Sequence, residues 1–204
     1  MYPAPLWRTI LMYMVKVTLI FISFVLLSLF LPPTKESPVP TYSHAEYDIT
    51  PLTKDQKKPL LKLLDKEALR ITQRSGTESP FCGTLLDNKK EGIYACVVCG
   101  LPLFKSDHKF ISGTGWPSFY TSFSDDHVVS RSDTSFSMDR FEIICARCDS
   151  HLGHVFDDGP KPTGKRFCLN SASLLFYEDD EELPEASKPV ETEIAYFAGG
   201  CFWG

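Results

Sequence analysis

Residues 17–31 (VTLIFISFVLLSLFL) carry no charge, and Thr18, Ser23 and Ser28 are their only polar breaks. Extended back to Thr9, the stretch reaches the ~20 residues that a membrane-spanning helix needs. Lys16 lies close enough to one end to reach the interface. Arg8 and Lys16 precede the apolar run, which predicts a cytoplasmic N-terminus and a body exported from the cytoplasm, on the periplasmic or extracellular face. No small-residue cleavage site follows, only Phe30-Leu31-Pro32-Pro33. The expectation is an uncleaved transmembrane anchor over residues 1–31, with a cleaved signal as the alternative.

Beyond it the patterning changes three times. Residues 32–46 begin with PPTKESPVP, a Pro-rich polar spacer. Residues 52–70 predict a helix, with Leu60, Leu61 and Leu64 on one face among Lys and Glu. From Gly92 the chain breaks into short apolar or alternating runs cut by Gly, Pro, Asp and Ser. Residues 92–98, 126–131, 140–145 and 166–177 predict strands. Strands this short and this dense point to a mainly β domain, over residues 47–178. Residues 178–182 (EDDEE) open an acidic linker in the last segment, 179–204.

Composition narrows the class. The chain has 204 residues, 43% hydrophobic and 13% aromatic, as a globular protein has. A formal net charge of −5 argues against a nucleic-acid partner. Seven cysteines do not pair off into a disulfide framework.

Four of those cysteines form a pattern. Cys96-x-x-Cys99 and Cys145-x-x-Cys148 are two turns, each able to aim two thiolates at one metal. Gly100 after the first pair suits a tight turn. The pattern predicts one closed, structural zinc site (Zn2+) with no open coordination position. Two separate redox CxxC pairs are the competing reading.

Cys82, Cys168 and Cys201 remain. In Arg166-Phe167-Cys168-Leu169-Asn170 a strand would place Arg166, Cys168 and Asn170 on one face. A guanidinium beside Cys168 predicts a lowered pKa and a nucleophilic thiolate, and Asn170 adds a neutral donor. His151-Leu152-Gly153-His154 supplies two histidines able to act as acid, base or donor. In 113–119 (GTGWPSF), Gly and Pro frame Trp116 in a rigid loop that also carries Phe119. Such an indole is a candidate surface for an apolar methyl group and equally a candidate core residue.

The ordered motifs RSGTESPFCG, CxxCG-LPLF, SGTGWPSF, CxRCDSHLGHVFDDGP-PTG and RFCLNSASL make residues 52–177 resemble the B-type methionine sulfoxide reductases. The resemblance implies two small antiparallel sheets with short N-terminal helices and a structural zinc. It implies reduction of methionine-R-sulfoxide in proteins, with Cys168 attacking the sulfoxide sulfur and becoming a sulfenic acid. His151, His154 and Asn170 match residues that position and protonate the sulfoxide oxygen, with Asp158 and Arg166 in support. Trp116 matches the residue that packs on the substrate methyl. Many members carry Cys where this chain has Thr114, and threonine cannot resolve a sulfenic acid. Cys82 in SPFCG is then the expected resolver, and a thioredoxin-like partner the expected reductant.

Residues 199–204 (GGCFWG) resemble the motif that opens the A-type reductases, which act on the S epimer. No residue follows Gly204 in the sequence, so the expectation is a truncated or split fusion in which Cys201 has no catalytic role. Two rival classes are a zinc-ribbon interaction module and a thiol–disulfide exchange protein. The first leaves RFCLN and HLGH unexplained, and a metal analysis that finds one tightly held zinc per chain would exclude the second.

Overall fold

The computed structural model describes residues 39–134 and 140–191. Two expectations fall outside them: the spanning helix over 9–31 and the Cys201 motif at 199–204. Among the described residues no helix is long and apolar enough to cross a membrane. The two described α-helices have 8 and 9 residues, about 12–14 Å of length against a hydrocarbon core of about 30 Å. The expected fold is therefore corrected: the transmembrane element is withdrawn, and with it the membrane partner and the placement of the body outside the cytoplasm.

The helix expected over 52–70 is two helices, α1 (Lys54–Leu61) and α2 (Lys66–Arg74). Thr53 opens α1 in a capping box, its side chain accepting from Gln56 N while Gln56 Oε1 accepts from Thr53 N. Asp65 explains the break. Its carboxylate accepts from Ala68 N at 2.7 Å, which starts a new helix. The α2 helix packs on the sheet through Ala68, Ile71 and Thr72.

Among the described residues nine strands follow: β1 (Gly92–Cys96), β2 (Pro102–Lys105), β3 (Lys109–Phe110), β4 (Ser118–Phe119), β5 (Val128–Asp133), β6 (Arg140–Cys145), β7 (His151–Phe156), β8 (Arg166–Leu169) and β9 (Leu174–Glu178). They make two antiparallel sheets, β2-β1-β9 and β3-β4-β8-β7-β6-β5. Both feed one core. Tyr94, Leu103 and Phe104 come from the first; Phe119, Ile143, Leu152 and Leu169 come from the second. Phe119 stacks on Phe104 at 4.7 Å and meets Tyr94 edge-on at 5.0 Å. The strand expected over 166–177 is broken by a 3-10 turn at Ser171–Ser173, so that β8 and β9 join different sheets.

Residues directly opposite in an antiparallel pair share a face. Cys168 lies opposite Ser118 and His154, His154 opposite Glu142, and Glu142 opposite Arg131. A row of polar side chains thus crosses one face of the larger sheet. Phe167, Val155 and Phe119 line the other face, toward the core.

One buried polar residue ties the first described segment to this body. His127 is fully buried, with Nδ1 2.6 Å from Pro102 O and Nε2 2.9 Å from Ser43 Oγ. Burial holds its pKa below the ordinary 6.5, against the pull of the Pro102 carbonyl, Asp126 and Asp125. The unfolded chain binds a proton near 6.5 that the folded chain refuses. Stability from this site is complete above that value and is lost as pH falls below it. His127→Asn should be less stable than wild type at pH 7.5, and the gap should narrow by pH 5. Thermal unfolding of both proteins across that range checks it; a gap independent of pH contradicts it.

Candidate active site and metal centre

The two CxxC turns are built alike. In the first, Gly100 N donates to Cys96 O and Cys96 N to Leu101 O, with Gly100 at φ 74°. In the second, Asp149 N donates to Cys145 O and Cys145 N to Ser150 O, with Asp149 at φ 57°. Each turn points its sulfurs at the other. Cys96 Sγ lies 3.5 Å from Cys148 Sγ, and Cys99 Sγ 3.5 Å from Cys145 Sγ. All four sulfurs lie within 4.8 Å of one another, and all four residues are buried. A tetrahedral sulfur site with bonds of about 2.3 Å has sulfurs about 3.8 Å apart, so the donor set fits one ion. Burial, together with the neighbouring Cys148, Cys96 and Cys99 sulfurs, pushes the Cys145 thiol well above its ordinary value. A cation at the centre reverses that cost.

Cys168 occupies β8, part-buried, in a cavity of about 110 Å³ lined by Thr77, Trp116, Arg140, His154, Phe156 and Asn170 among others. The expected depression of its pKa is not found. Burial pushes the thiol above its ordinary value, outweighing the Thr114 hydroxyl at 3.8 Å, the Arg166 charge and Ser118. Arg166 divides its guanidinium between Cys168 and other partners. Its Nε and Nη2 donate to both Asp158 oxygens at 2.8 and 2.9 Å, and its guanidinium stacks 4.3 Å over Phe156. The Arg166–Asp158 pair is therefore a brace on the strand that carries Cys168, packed over the Phe156 ring that lines the cavity.

Two histidines three apart on a regular strand would face opposite ways. Here β7 carries a bulge. Ile143 pairs with Gly153 and Ile144 with His151, which leaves Leu152 extra. Both imidazoles come to one side, their centroids 5.5 Å apart. His151 Nδ1 lies 2.6 Å from Glu142 Oε1, and His154 Nε2 lies 2.8 Å from Asp133 Oδ2. Burial holds the His151 pKa below its ordinary value, against the Glu142 carboxylate. Its Nε2 is buried without a hydrogen-bond partner among the described residues. Gly153 is required at its position, because a Cβ there would lie 2.1 Å from Cys168 O across the ladder. Asn170 is buried, and its amide is in use: Nδ2 donates to Leu152 O and Oδ1 accepts from Glu78 N.

Trp116 lines the same cavity, its Nε1 donating to Glu78 O at 3.1 Å. Phe119, expected to bind substrate beside it, is instead fully buried in the core. Cys82 is exposed in the segment that follows Glu78.

Comparison with known proteins decides the family. The SelR domain model matches residues 64–178, more than half of the chain. The chain belongs to the SelR domain family. Relatives of this SelR chain are named peptide methionine sulfoxide reductase MsrB. One from Caulobacter vibrioides is 54% identical over 71% of this chain and 91% of its own length. One from Xylella fastidiosa is 52% identical over 68% of this chain and 90% of its own. One from Methanosarcina barkeri is 55% identical over 59% of this chain and 84% of its own.

Sequence reasoning named none of Glu78, Glu142 or Asp133 as part of this SelR site. Glu78 lies within RSGTESPFCG, and its carboxylate is the signal that could have been read. It is buried and accepts from Ser171 N at 2.6 Å and Ala172 N at 3.1 Å, capping the 3-10 turn after Cys168. Its backbone N–H and carbonyl serve Asn170 and Trp116. Glu78→Ala leaves two amide donors without their acceptor, which should cost about 2 kcal/mol or more. Urea unfolding of the metal-loaded protein measures this. A loss under about 0.5 kcal/mol would show that the carboxylate is not the cap.

Proposed function

We propose that this chain reduces methionine-R-sulfoxide in proteins to methionine, with Cys168 as nucleophile. What supports the reading most is the Cys168 cavity inside a SelR domain, closed by Trp116 and His154. The relatives' name gives the reaction class. In the cycle, Cys168 sulfur attacks the sulfoxide sulfur while the sulfoxide oxygen is protonated. Methionine leaves reduced, and Cys168 is left as a sulfenic acid. Trp116 packs on the methyl group. His154, oriented by Asp133, and His151, oriented by Glu142, position and protonate the oxygen. Asn170 serves by fixing the backbone beneath the histidines, and Arg166 with Asp158 by bracing the strand that carries Cys168.

Cys82 then attacks the sulfenic sulfur, water leaves, and a Cys82–Cys168 disulfide forms for a thioredoxin-like dithiol to reduce. Two observations support Cys82. Its segment lies over the turn that follows Cys168, through Glu78 on Ser171 N and Leu85 N on Ser171 Oγ. Phe81 sits at φ 63°, a conformation that costs a bulky residue about 1–2 kcal/mol and that movement of the segment would relieve.

The metal in the four-cysteine centre is zinc, on the donor set alone: four thiolates, closed and tetrahedral. It supplies stability and no chemistry. The domain spans residues 47–178, and the GGCFWG motif at 199–204 is of A-type character, with Cys201 outside this cycle.

A peptide carrying methionine-R-sulfoxide should be reduced and its S epimer left alone. Cys168→Ser should abolish turnover and retain one zinc per chain by elemental analysis. Retained turnover in that variant overturns the assignment of the nucleophile. After one turnover without reductant, mass spectrometry should find a Cys82-to-Cys168 linked peptide. In Cys82→Ser the first turnover should survive while cycling with a dithiol protein stops; normal cycling removes Cys82 from the mechanism. Stripping the zinc with a chelator under reducing conditions should lower thermal stability sharply.

A further inference from the structure

Three hydroxyls run in a line that ends on the nucleophile. Ser118 Oγ lies 2.8 Å from Ser112 Oγ, Ser112 Oγ lies 2.8 Å from Thr114 Oγ1, and Thr114 Oγ1 lies 3.8 Å from Cys168 Sγ. We propose that Thr114 is a catalytic hydrogen-bond donor, aimed by Ser112 and Ser118 so that its hydroxyl proton points at Cys168 Sγ and stabilises the thiolate. The inference rests on the reading of Cys168 as the attacking sulfur.

The direction of the line is set by its end. A hydroxyl has one proton and two acceptor sites. Ser118 Oγ has two acceptors within reach, Ser112 Oγ at 2.8 Å and Trp116 O at 3.1 Å, and Ser112 Oγ accepts from Thr114 N at 3.3 Å. A thiolate has no proton to give, so with Cys168 ionised the contact between Thr114 Oγ1 and Cys168 Sγ is made with the threonine as donor. With its own proton spent on sulfur, Thr114 Oγ1 accepts from Ser112 Oγ.

The origin of the line is rigid. Ser118 is fully buried and sits directly opposite Cys168 in the β4–β8 ladder. Its oxygen also lies 3.1 Å from Trp116 O, within the same loop. Successive hydroxyls polarise one another, so the last donor is stronger than a lone threonine. A donor to the charged sulfur favours the thiolate. Cys168 needs that help, because burial outweighs what the Arg166 charge, shared with Asp158, supplies to the sulfur. Thr114 holds the nucleophile and leaves resolution to Cys82.

The test is the pH dependence of Cys168 alkylation by iodoacetamide in the full metal-loaded chain, followed by mass spectrometry of the Cys168 peptide. Thr114→Val, which keeps shape and loses the hydroxyl, should move the midpoint up by about one unit. Thr114→Ser should restore it to within a few tenths. Ser112→Ala should move it the same way by a smaller step. The rate of sulfoxide reduction by Thr114→Val should be about tenfold low at pH 7 and converge on wild type at high pH. A midpoint unmoved in Thr114→Val overturns the proposal, as does Thr114→Ser displaced as far as Thr114→Val. Alkylation requires no sulfoxide. Loss of the reductase reading would show as a wild type that reduces no sulfoxide, while the midpoints still decide the role of Thr114.

Discussion

The carbonyl oxygen of Leu152 holds the site together. Leu152 is the extra residue of the β7 bulge against β6, and on its other side its carbonyl continues the β7–β8 register toward Asn170, while the residue is fully buried. Left bare, such a group costs about 1–3 kcal/mol. Here Asn170 N donates to it at 2.9 Å, Asn170 Nδ2 at 3.0 Å and Ser173 Oγ at 3.3 Å. With these donors the bulge is affordable, and with the bulge His151 and His154 share a face. A regular β7 would put one imidazole in the core. Asn170 is thus fixed by backbone demands before any substrate arrives, and its residue type is explained by one amide reaching a carbonyl and an N–H at once.

Glu78 extends this arrangement to the rest of the cavity. Its N–H orients Asn170, its carbonyl orients Trp116, and its carboxylate caps the turn that Asn170 begins. The same stretch of chain runs on into Cys82. The Trp116 indole, the bulge and the segment that carries Cys82 are therefore connected through one residue. The metal centre does comparable work between the sheets. Cys96 ends β1 of the smaller sheet and Cys145 ends β6 of the larger, while Cys148 leads into β7. An ion shared by the four sulfurs would staple the two sheets at the point from which the histidine strand departs.

Local patterns were legible in the sequence, and tertiary commitments were not. Residues 140–145 read as a strand and are one, because alternation and flanking charges define them locally. The CxxC turns were legible for the same reason. The run over 166–177 keeps an apolar look through Asn170 and Ser171, and only the contacts with Glu78, some ninety residues earlier, reveal the turn that divides it. The β7 strand was read as chemistry and not as a strand, since a bulge and a glycine spoil its period of two. Phe119 was misplaced because the loop was read as a unit; its parity in the β4–β8 ladder, opposite Phe167 and not Cys168, sends it to the core.

The raised pKa of Cys168, contrary to the expectation from its arginine neighbour, suits the proposed reaction. In the first half of the cycle a thiol and a sulfoxide give a thioether and a sulfenic acid, with no net proton consumed. The thiol proton is the one that the sulfoxide oxygen requires on leaving. A thiolate formed permanently by a nearby charge would have surrendered that proton to solvent, and the poorly exposed cavity would have to recover it. Burial keeps the proton on Cys168 until substrate is present. Arg166 and the Thr114 hydroxyl favour the anion once attack begins, and His154, held by Asp133, lines the same cavity and in the proposed cycle passes the proton to the oxygen. Reactivity then depends on substrate occupancy, which spares a nucleophilic cysteine from the oxidants that create its substrate.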